Sequence, residues 1–316
     1  MKDLTSFTLS LVRKLEEEGR YGTAHVYAST LHAFQKYWQK RRPGKAMMMK
    51  AVFTPATLQE FEEHMRERML RLNTISTYMR MLRALYNRAL MAGRVMYIPG
   101  LFAQVYTGTR TDVKRALPPP QMGKVLGDIG CRNRKTETAR MWFALMFLLR
   151  GMPFADLARL RKCDLQNGEI TYRRQKTGRM LRVKVTPEAE ALIRWCADRN
   201  PGSPYLLDIL WDGGKDFRMG GIEEYKRYQT VLRSFNLRLK LLGCMLGIPS
   251  KLSSYTARHT WATTAFHTNC SVGIISNALG HSSVKVTETY LKPFEEEKLD
   301  KVNRKIIAYV KRSIQS

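Results

Sequence analysis

Three consecutive prolines, Pro118-Pro119-Pro120, close a stretch that also holds Pro99, Gly100 and Gly108, and together they cut this chain in two. Proline lacks a backbone N–H and glycine weakens a helix, so no long element crosses residues 98–120. The apolar pattern differs on the two sides. Before the break it keeps helical spacing throughout. After it, helical stretches are interrupted by one pair of short alternating segments. The expected fold is mainly α with a small antiparallel sheet: a helical domain over 1–107, a linker over 108–117 and a mixed α+β domain over 118–316. A chain of 316 residues is long enough for two such domains, each with its own core.

In the first domain, helices are expected over Thr5–Glu18, ended by Gly19 and Gly22, and over Thr23–Gln39. Thr54-Pro55 opens a third, to about Leu72, with a capping hydroxyl followed by proline at the first helical position. A fourth starts at Asn73 or Thr74. Its apolar residues Ile75, Tyr78, Met79, Leu82, Leu85, Tyr86 and Ala89 recur at helical spacing. Arg80, Arg83 and Arg88 fall off that stripe. One such arginine is ordinarily a solvated side chain, but as a set on a basic domain the three are candidate phosphate contacts. Lys114 and Arg115 in the linker are candidates of the same kind.

Beyond the prolines, helices are expected around Gln121–Ile129, Thr138–Leu149, Glu188–Asp198, Glu223–Leu242 and Thr256–Thr268. Two strands, 169–174 and 181–185, form a hairpin around Gly178. The tail from Glu295 reads as helical, with Leu299, Val302, Ile306 and Val310 on one stripe.

Charge narrows the partner. The formal net charge is +27, and both parts carry it: 20 basic against 9 acidic residues up to Leu117, and 34 against 18 beyond it. Apolar residues make up 44% of the chain, so the charge does not signal disorder. A surplus on both domains points to a polyanion, with nucleic acid favoured over a membrane surface. Cys131, Cys163, Cys196, Cys244 and Cys270 are scattered without a CxxC pair, which argues against a disulfide framework or zinc ribbon and for reduced thiols in a cytoplasm. The apolar run Met141–Leu149 is too short to span a bilayer, and the N-terminal segment lacks the apolar core of a signal peptide.

The strongest chemical signal lies near the end: Tyr255-Thr256-Ala257-Arg258-His259, then Leu279-Gly280-His281, then Tyr290. A tyrosine hydroxyl can attack phosphorus while arginine and histidine hold the phosphate. Ordinarily such a hydroxyl ionises only near pH ~10, so it needs a base or a cationic setting. Singly, the three are a half-buried tyrosine, a helix-capping histidine and a surface arginine. Together, in this order on so basic a chain, they suggest phosphoryl transfer on nucleic acid with no metal.

This order resembles the tyrosine recombinases, or phage-type integrases, in which the histidine stands nine positions before the tyrosine, as His281 does before Tyr290. The resemblance covers most of the chain. It implies a core-binding domain, a linker and a catalytic domain acting on double-stranded DNA, as a homotetramer, with no cofactor. Tyr290 would form a 3′-phosphotyrosyl link that conserves the phosphodiester energy. Arg258 would stabilise the pentavalent phosphate, and His281 would donate a hydrogen bond to it or relay a proton. Lys176, in the hairpin turn, matches the family's general acid for the leaving 5′-oxygen. The stripe of the tail helix fits a segment that, in the family, docks onto a neighbouring protomer, and equally fits packing against its own catalytic domain. The length suits a simple recombinase acting on short inverted repeats.

Two positions depart from the pattern. Where the family carries T-G-x-R-x-x-E, this chain reads Arg150-Gly151-Met152-Pro153-Phe154-Ala155-Asp156, with proline in the arginine's place. That R-G-M-x-F-x-D form resembles recombinases of Bacteroidetes mobile elements. Arg150, about one helical turn away, and Arg174, on the face of Lys176 by strand alternation, are both candidates for the missing cation. The second departure is Tyr255, where the family has histidine or lysine; it shares a helical face with Arg258 and can donate but carries no charge. His259 would point about 100° away on a helix. A catalytically impaired DNA-binding relative acting as a regulator is the alternative, and a type IB topoisomerase shares the chemistry but fits the spacing less well.

Overall fold

The computed structural model describes residues 3–109, 115–127, 130, 133–214, 217–291, 300 and 303–307. The chain divides into two compact units, Met1–Asp112 with Arg218–Tyr225, and Val113–Phe217 with Lys226–Ser316.

The first unit is built from α1 (Leu4–Glu17), α2 (Tyr21–Arg41), the single turn α3 (Met49–Val52), α4 (Pro55–Glu67) and α5 (Leu72–Met91). Side-chain oxygens satisfy free N–H groups where two of these helices begin. Asp3 accepts from the Ser6 N–H at 2.9 Å, and Thr54 from the Thr57 N–H at 3.2 Å. Gly19 alone reverses the chain after α1, at φ +71°, whereas Gly22 lies inside the first turn of α2. Helix α4 stops short of Leu72 because Met69 turns left-handed at φ +55°.

Helix α2 packs on α1, α4 and α5. At the centre the Phe34 ring lies 4.9 Å from Phe61, 5.4 Å from Tyr37 and 5.9 Å from Trp38. Tyr37 keeps its hydroxyl satisfied by donating to Glu60 at 2.7 Å. Ile75, Met79, Leu82 and Leu85 of α5 are fully buried, as their spacing requires, while Arg80, Arg83 and Arg88 are exposed. Arg83 lies over the Phe102 ring at 5.2 Å.

The second unit holds α6 (Pro119–Leu126), α7 (Arg134–Leu148), α8 (Phe154–Leu157), β1 (Leu165–Gln166), β2 (Glu169–Arg173), β3 (Met180–Lys184), α9 (Pro187–Cys196), most of α10 (Ile222–Met245), α11 (Thr256–His267), α12 (Val272–Leu279) and α13 (Val284–Glu288). Proline at the start of α6 and α9 costs no hydrogen bond, so the proline run ends by opening a helix. The sheet is antiparallel in the order β1-β2-β3, one short strand more than the expected hairpin. Pairing sets Ile170 against Val183 and Tyr172 against Leu181. All four side chains are buried in a core shared with Phe143, Leu145 and Met146 of α7.

Residues 303–307 are helical, and Ile306 is 56% exposed. The other members of the expected tail stripe, Leu299, Val302 and Val310, lie outside the described residues, as do Lys114 and Ile129. No helix among the described residues is long and apolar enough to cross a membrane.

Removing the Phe34 ring should destabilise the first unit strongly. Phe34→Ala is expected to cost about 3–5 kcal/mol in denaturant unfolding of that unit. A loss below about 1 kcal/mol would mean that the aromatic cluster is not its centre.

Candidate active site

Two left-handed turns in the second unit shape the site. The first follows α7, where Arg150 and Gly151 take φ +59° and +66°. A Cβ on Gly151 would stand 3.1 Å from the Cα of Arg258 and 3.3 Å from the Cβ of Trp261, so the turn lies directly against α11. The Gly151 carbonyl accepts from Arg258 Nη1 at 2.9 Å. Pro153 then caps α8 at φ −63°.

The second turn ends α12. Gly280 takes φ +66°, the conformation that most readily closes a helix with glycine. A Cβ there would meet Leu181 Cδ1 of β3 at 2.9 Å. The Leu279 carbonyl is thereby presented to two guanidinium groups. Arg258 Nη2 donates to it at 2.6 Å, and Arg174 Nη1 donates to the same oxygen.

Arg174 begins the β2–β3 turn, closed by the Gly178 N–H donating to its carbonyl at 2.8 Å. Asp156 of α8 ties down that turn by accepting from the Gln175 N–H at 2.9 Å. Arg179 ties it on the other side, donating to the His281 carbonyl at 3.1 Å and to Asn277 at 3.0 Å.

The electrostatics are those of a buried cationic pair. Arg258 is 3% exposed and Arg174 5%. Burial and the neighbouring Arg174 lower the pKa of Arg258 to about 10, with the Tyr290 hydroxyl acting the other way, so it stays charged at neutral pH. Burial raises the Asp156 carboxyl, against the pull of the Gln175 N–H, Arg174 and Arg258. Nε of both arginines and Oδ2 of Asp156 are buried without a partner among the described residues.

His281 and Tyr290 complete the cluster. His281 Nε2 faces Arg258 Nη2 at 2.9 Å, and its Nδ1 faces Thr287 Oγ1 at 2.8 Å. Since a guanidinium only donates, the histidine accepts from Arg258 and is not a donor on that side. The Tyr290 ring stacks on His281 with centroids 5.1 Å apart and lies 4.6 Å from the His259 ring. Its carbonyl accepts from Thr263 Oγ1 at 3.1 Å.

The residues singled out from the sequence are thus partly gathered. Arg258, Arg174, His281 and Tyr290 come together. Lys176 stands exposed at the turn, close enough for its charge to act on His281. Arg150 is exposed and directs its guanidinium to the Arg182 carbonyl of β3 at 3.2 Å. Tyr255 is 57% exposed at the start of α11, with the Arg115 guanidinium 5.8 Å from its ring centroid. Arg80, Arg83 and Arg88 belong to the other unit. Thr287, Thr263 and the tethering role of Asp156 have no sequence signature of their own; His259 lies against Tyr290 rather than pointing away.

Two buried guanidinium groups with donors to spare, beside a neutral imidazole and a phenol, can hold a phosphodiester and present it with a hydroxyl nucleophile. Comparison with known proteins shows the family. Residues 3–98 match the phage integrase SAM-like domain, and residues 129–297 match the phage integrase family. A tyrosine recombinase of Pseudothermotoga lettingae is 33% identical over 60 residues, 19% of this chain and 21% of that protein. Tyrosine recombinase XerC of Rickettsia bellii is 26% identical over 152 residues, 47% of this chain and 46% of that protein. The chain thus spans less than half the length of these two relatives. The integrase of the Tn1549 transposon, solved in complex with transposon right end DNA, superposes with a TM-score of 0.65 over 96% of this chain and 99% of that one. At 14% identity that likeness is one of fold. The chain belongs to the phage integrase family.

The histidine predicts a pH dependence. Burial first, then Arg258, Arg174 and Lys176, push the pKa of His281 from 6.5 down to about 3. Between those values the unfolded chain binds a proton that the folded one refuses, so stability falls as pH drops from about 6.5 towards 3. Asp156, with its raised pKa, works in the opposite sense at the acidic end. His281→Gln is therefore expected to lose less stability over this interval than the wild type in thermal melts. Parallel curves would show that the histidine is not held neutral.

Proposed function

We propose that this protein is a site-specific DNA recombinase that cleaves and rejoins double-stranded DNA through a 3′-phosphotyrosyl intermediate. The observation that carries the reading is the convergence of two buried guanidinium groups on one carbonyl, beside the rings of His281 and Tyr290. Tyr290 Oη bonds to the scissile phosphorus as the bond to the 5′-oxygen breaks. Arg258 and Arg174 hold the non-bridging oxygens, and Arg174 supplies the charge that Pro153 lacks. Its burial in the cluster ranks it above Arg150, which is engaged on β3. Lys176 gives its proton to the departing 5′-oxygen. Attack by a 5′-hydroxyl reverses the step, so no nucleotide, metal or other cofactor enters.

Around this centre, Tyr255 donates to a backbone phosphate at the rim. Arg80, Arg83, Arg88, Lys114 and Arg115 neutralise phosphates along the duplex. Domains over 1–107 and 118–316, joined by a linker over 108–117, act in the cytoplasm as a homotetramer on short inverted repeats, in integration, excision or inversion. The R-G-M-x-F-x-D run supports a place among recombinases of Bacteroidetes mobile elements, and the DNA-bound Tn1549 integrase supports the partner.

A nicked suicide duplex built on inverted repeats that flank the gene tests this. A covalent protein–DNA adduct should form and disappear in Tyr290→Phe. Arg174→Ala should slow adduct formation by about 10²–10³-fold, the usual effect of removing a transition-state donor, and Arg150→Ala by less than about tenfold. A protein that binds the duplex but yields no Tyr290-dependent adduct would be a regulator instead. Greater damage from Arg150→Ala than from Arg174→Ala would reverse their ranking.

A further inference from the structure

We infer that Thr287 fixes the tautomer of His281 and thereby makes that histidine the proton acceptor for Tyr290, an inference that rests on the recombinase reading above. The argument starts from what each nitrogen can do. Arg258 Nη2 lies 2.9 Å from His281 Nε2, and a guanidinium has donors only. Nε2 therefore accepts and carries no proton. A neutral imidazole then keeps its single proton on Nδ1. The atom that receives it is Thr287 Oγ1, 2.8 Å away on a residue with no exposed surface.

The charged groups facing this imidazole are Arg258 from α11 and Arg174 and Lys176 from the β2–β3 turn. Tyr290, after α13, brings the titratable hydroxyl. All three cations oppose an imidazolium while no anion is present. A scissile phosphate supplies the opposing charge and draws Arg258 onto its oxygens, which frees the Nε2 lone pair. The Tyr290 ring, stacked on the imidazole with centroids 5.1 Å apart in the DNA-free protein, turns its hydroxyl to that lone pair as it meets the phosphate. As Oη bonds to phosphorus and the 5′-oxygen leaves, the phenol proton passes to Nε2. The 5′-oxygen takes its proton from Lys176. Both protons return on religation. Nδ1–H stays on Thr287 throughout.

Thr287 is a positioning residue and touches neither phosphate nor nucleophile. It belongs to α13, three residues before Tyr290, so one hydroxyl joins the segment carrying the nucleophile to the base that serves it. Without it, the Nδ1–H is buried with no partner, and the alternative tautomer places a proton on the nitrogen that must accept one.

Valine has the shape of threonine without its acceptor, and serine keeps the acceptor. With a duplex bound to the Tyr290→Phe protein, where the phosphate has drawn Arg258 off Nε2, 15N spectra of the imidazole should show an unprotonated Nε2 with Thr287 or Thr287→Ser, and a protonated Nε2 with Thr287→Val. With the suicide duplex, single-turnover adduct formation should be pH-independent around neutrality for the wild type. Thr287→Val should be slower by roughly a hundred-fold, the scale of a lost general base, with a rate that climbs as pH rises and an unchanged Kd for the duplex. Thr287→Ser should recover most of the rate. Thr287→Ala serves the same comparison if the valine variant melts below the assay temperature. A valine or alanine variant that keeps both the wild-type tautomer and the wild-type pH–rate profile overturns the inference while leaving the recombinase reading intact. A wild type that forms no Tyr290-dependent adduct overturns that reading, and with it the proton transfer.

Discussion

One backbone carbonyl, that of Leu279, accepts from two guanidinium groups, and the architecture around it follows from that contact. Two like charges held at 3% and 5% exposure have lost nearly all of their water. Burial of unpaired cations costs several kcal/mol each, so they need an acceptor already in place. The end of α12 provides one, because the last carbonyls of a helix have no partner within it and carry its partial negative charge. Gly280 makes this possible twice over. Its left-handed φ closes the helix, and its missing Cβ lets Leu181 approach. Gly151 performs the matching service on the far side of Arg258.

The site is still short of negative charge. Asp156 is the buried carboxyl that faces both arginines, and one of its oxygens is already committed to the hairpin turn. The Nε atoms of both arginines have no partner among the described residues. Such a constellation is poised to take up an anion with several acceptor oxygens, which is what a phosphodiester offers. Proton traffic, in contrast, is organised by neutral groups: an imidazole that burial keeps uncharged and a threonine hydroxyl that it meets edge-on.

Much of this was legible from residue spacing. The period of Ile75–Ala89 located the buried face of α5, and Thr54-Pro55 located the start of α4. Arg258, His281 and Tyr290 could be named because their order and interval resemble those of the tyrosine recombinases. What escaped depends on contacts between distant segments or on elements too short to carry a period. Strand β1 spans two residues, which is no alternation at all. Arg150 and Arg174 could not be ranked because Arg174 is buried by the end of α12, some hundred positions further on. Strand alternation put Arg174 and Lys176 on one side, yet β2 ends at Arg173, and the turn buries one and exposes the other. Tyr255 precedes the first residue of α11, and its ring lies near Arg115.

Arg174 and Lys176 sit within one turn, closed by the Gly178 N–H donating to the Arg174 carbonyl and the Arg174 N–H donating to the Arg179 carbonyl. Under the roles proposed for them, one arm of the clamp on the phosphate and the acid for the leaving group are encoded by five neighbouring codons. Were that arm borne on a distant element, as Arg258 is on α11, those two functions could drift apart under separate selection. Here they are inherited as one cassette, and exchange of this hairpin between related genes would move both together. Position 153, where the family carries an arginine, holds the proline that begins α8.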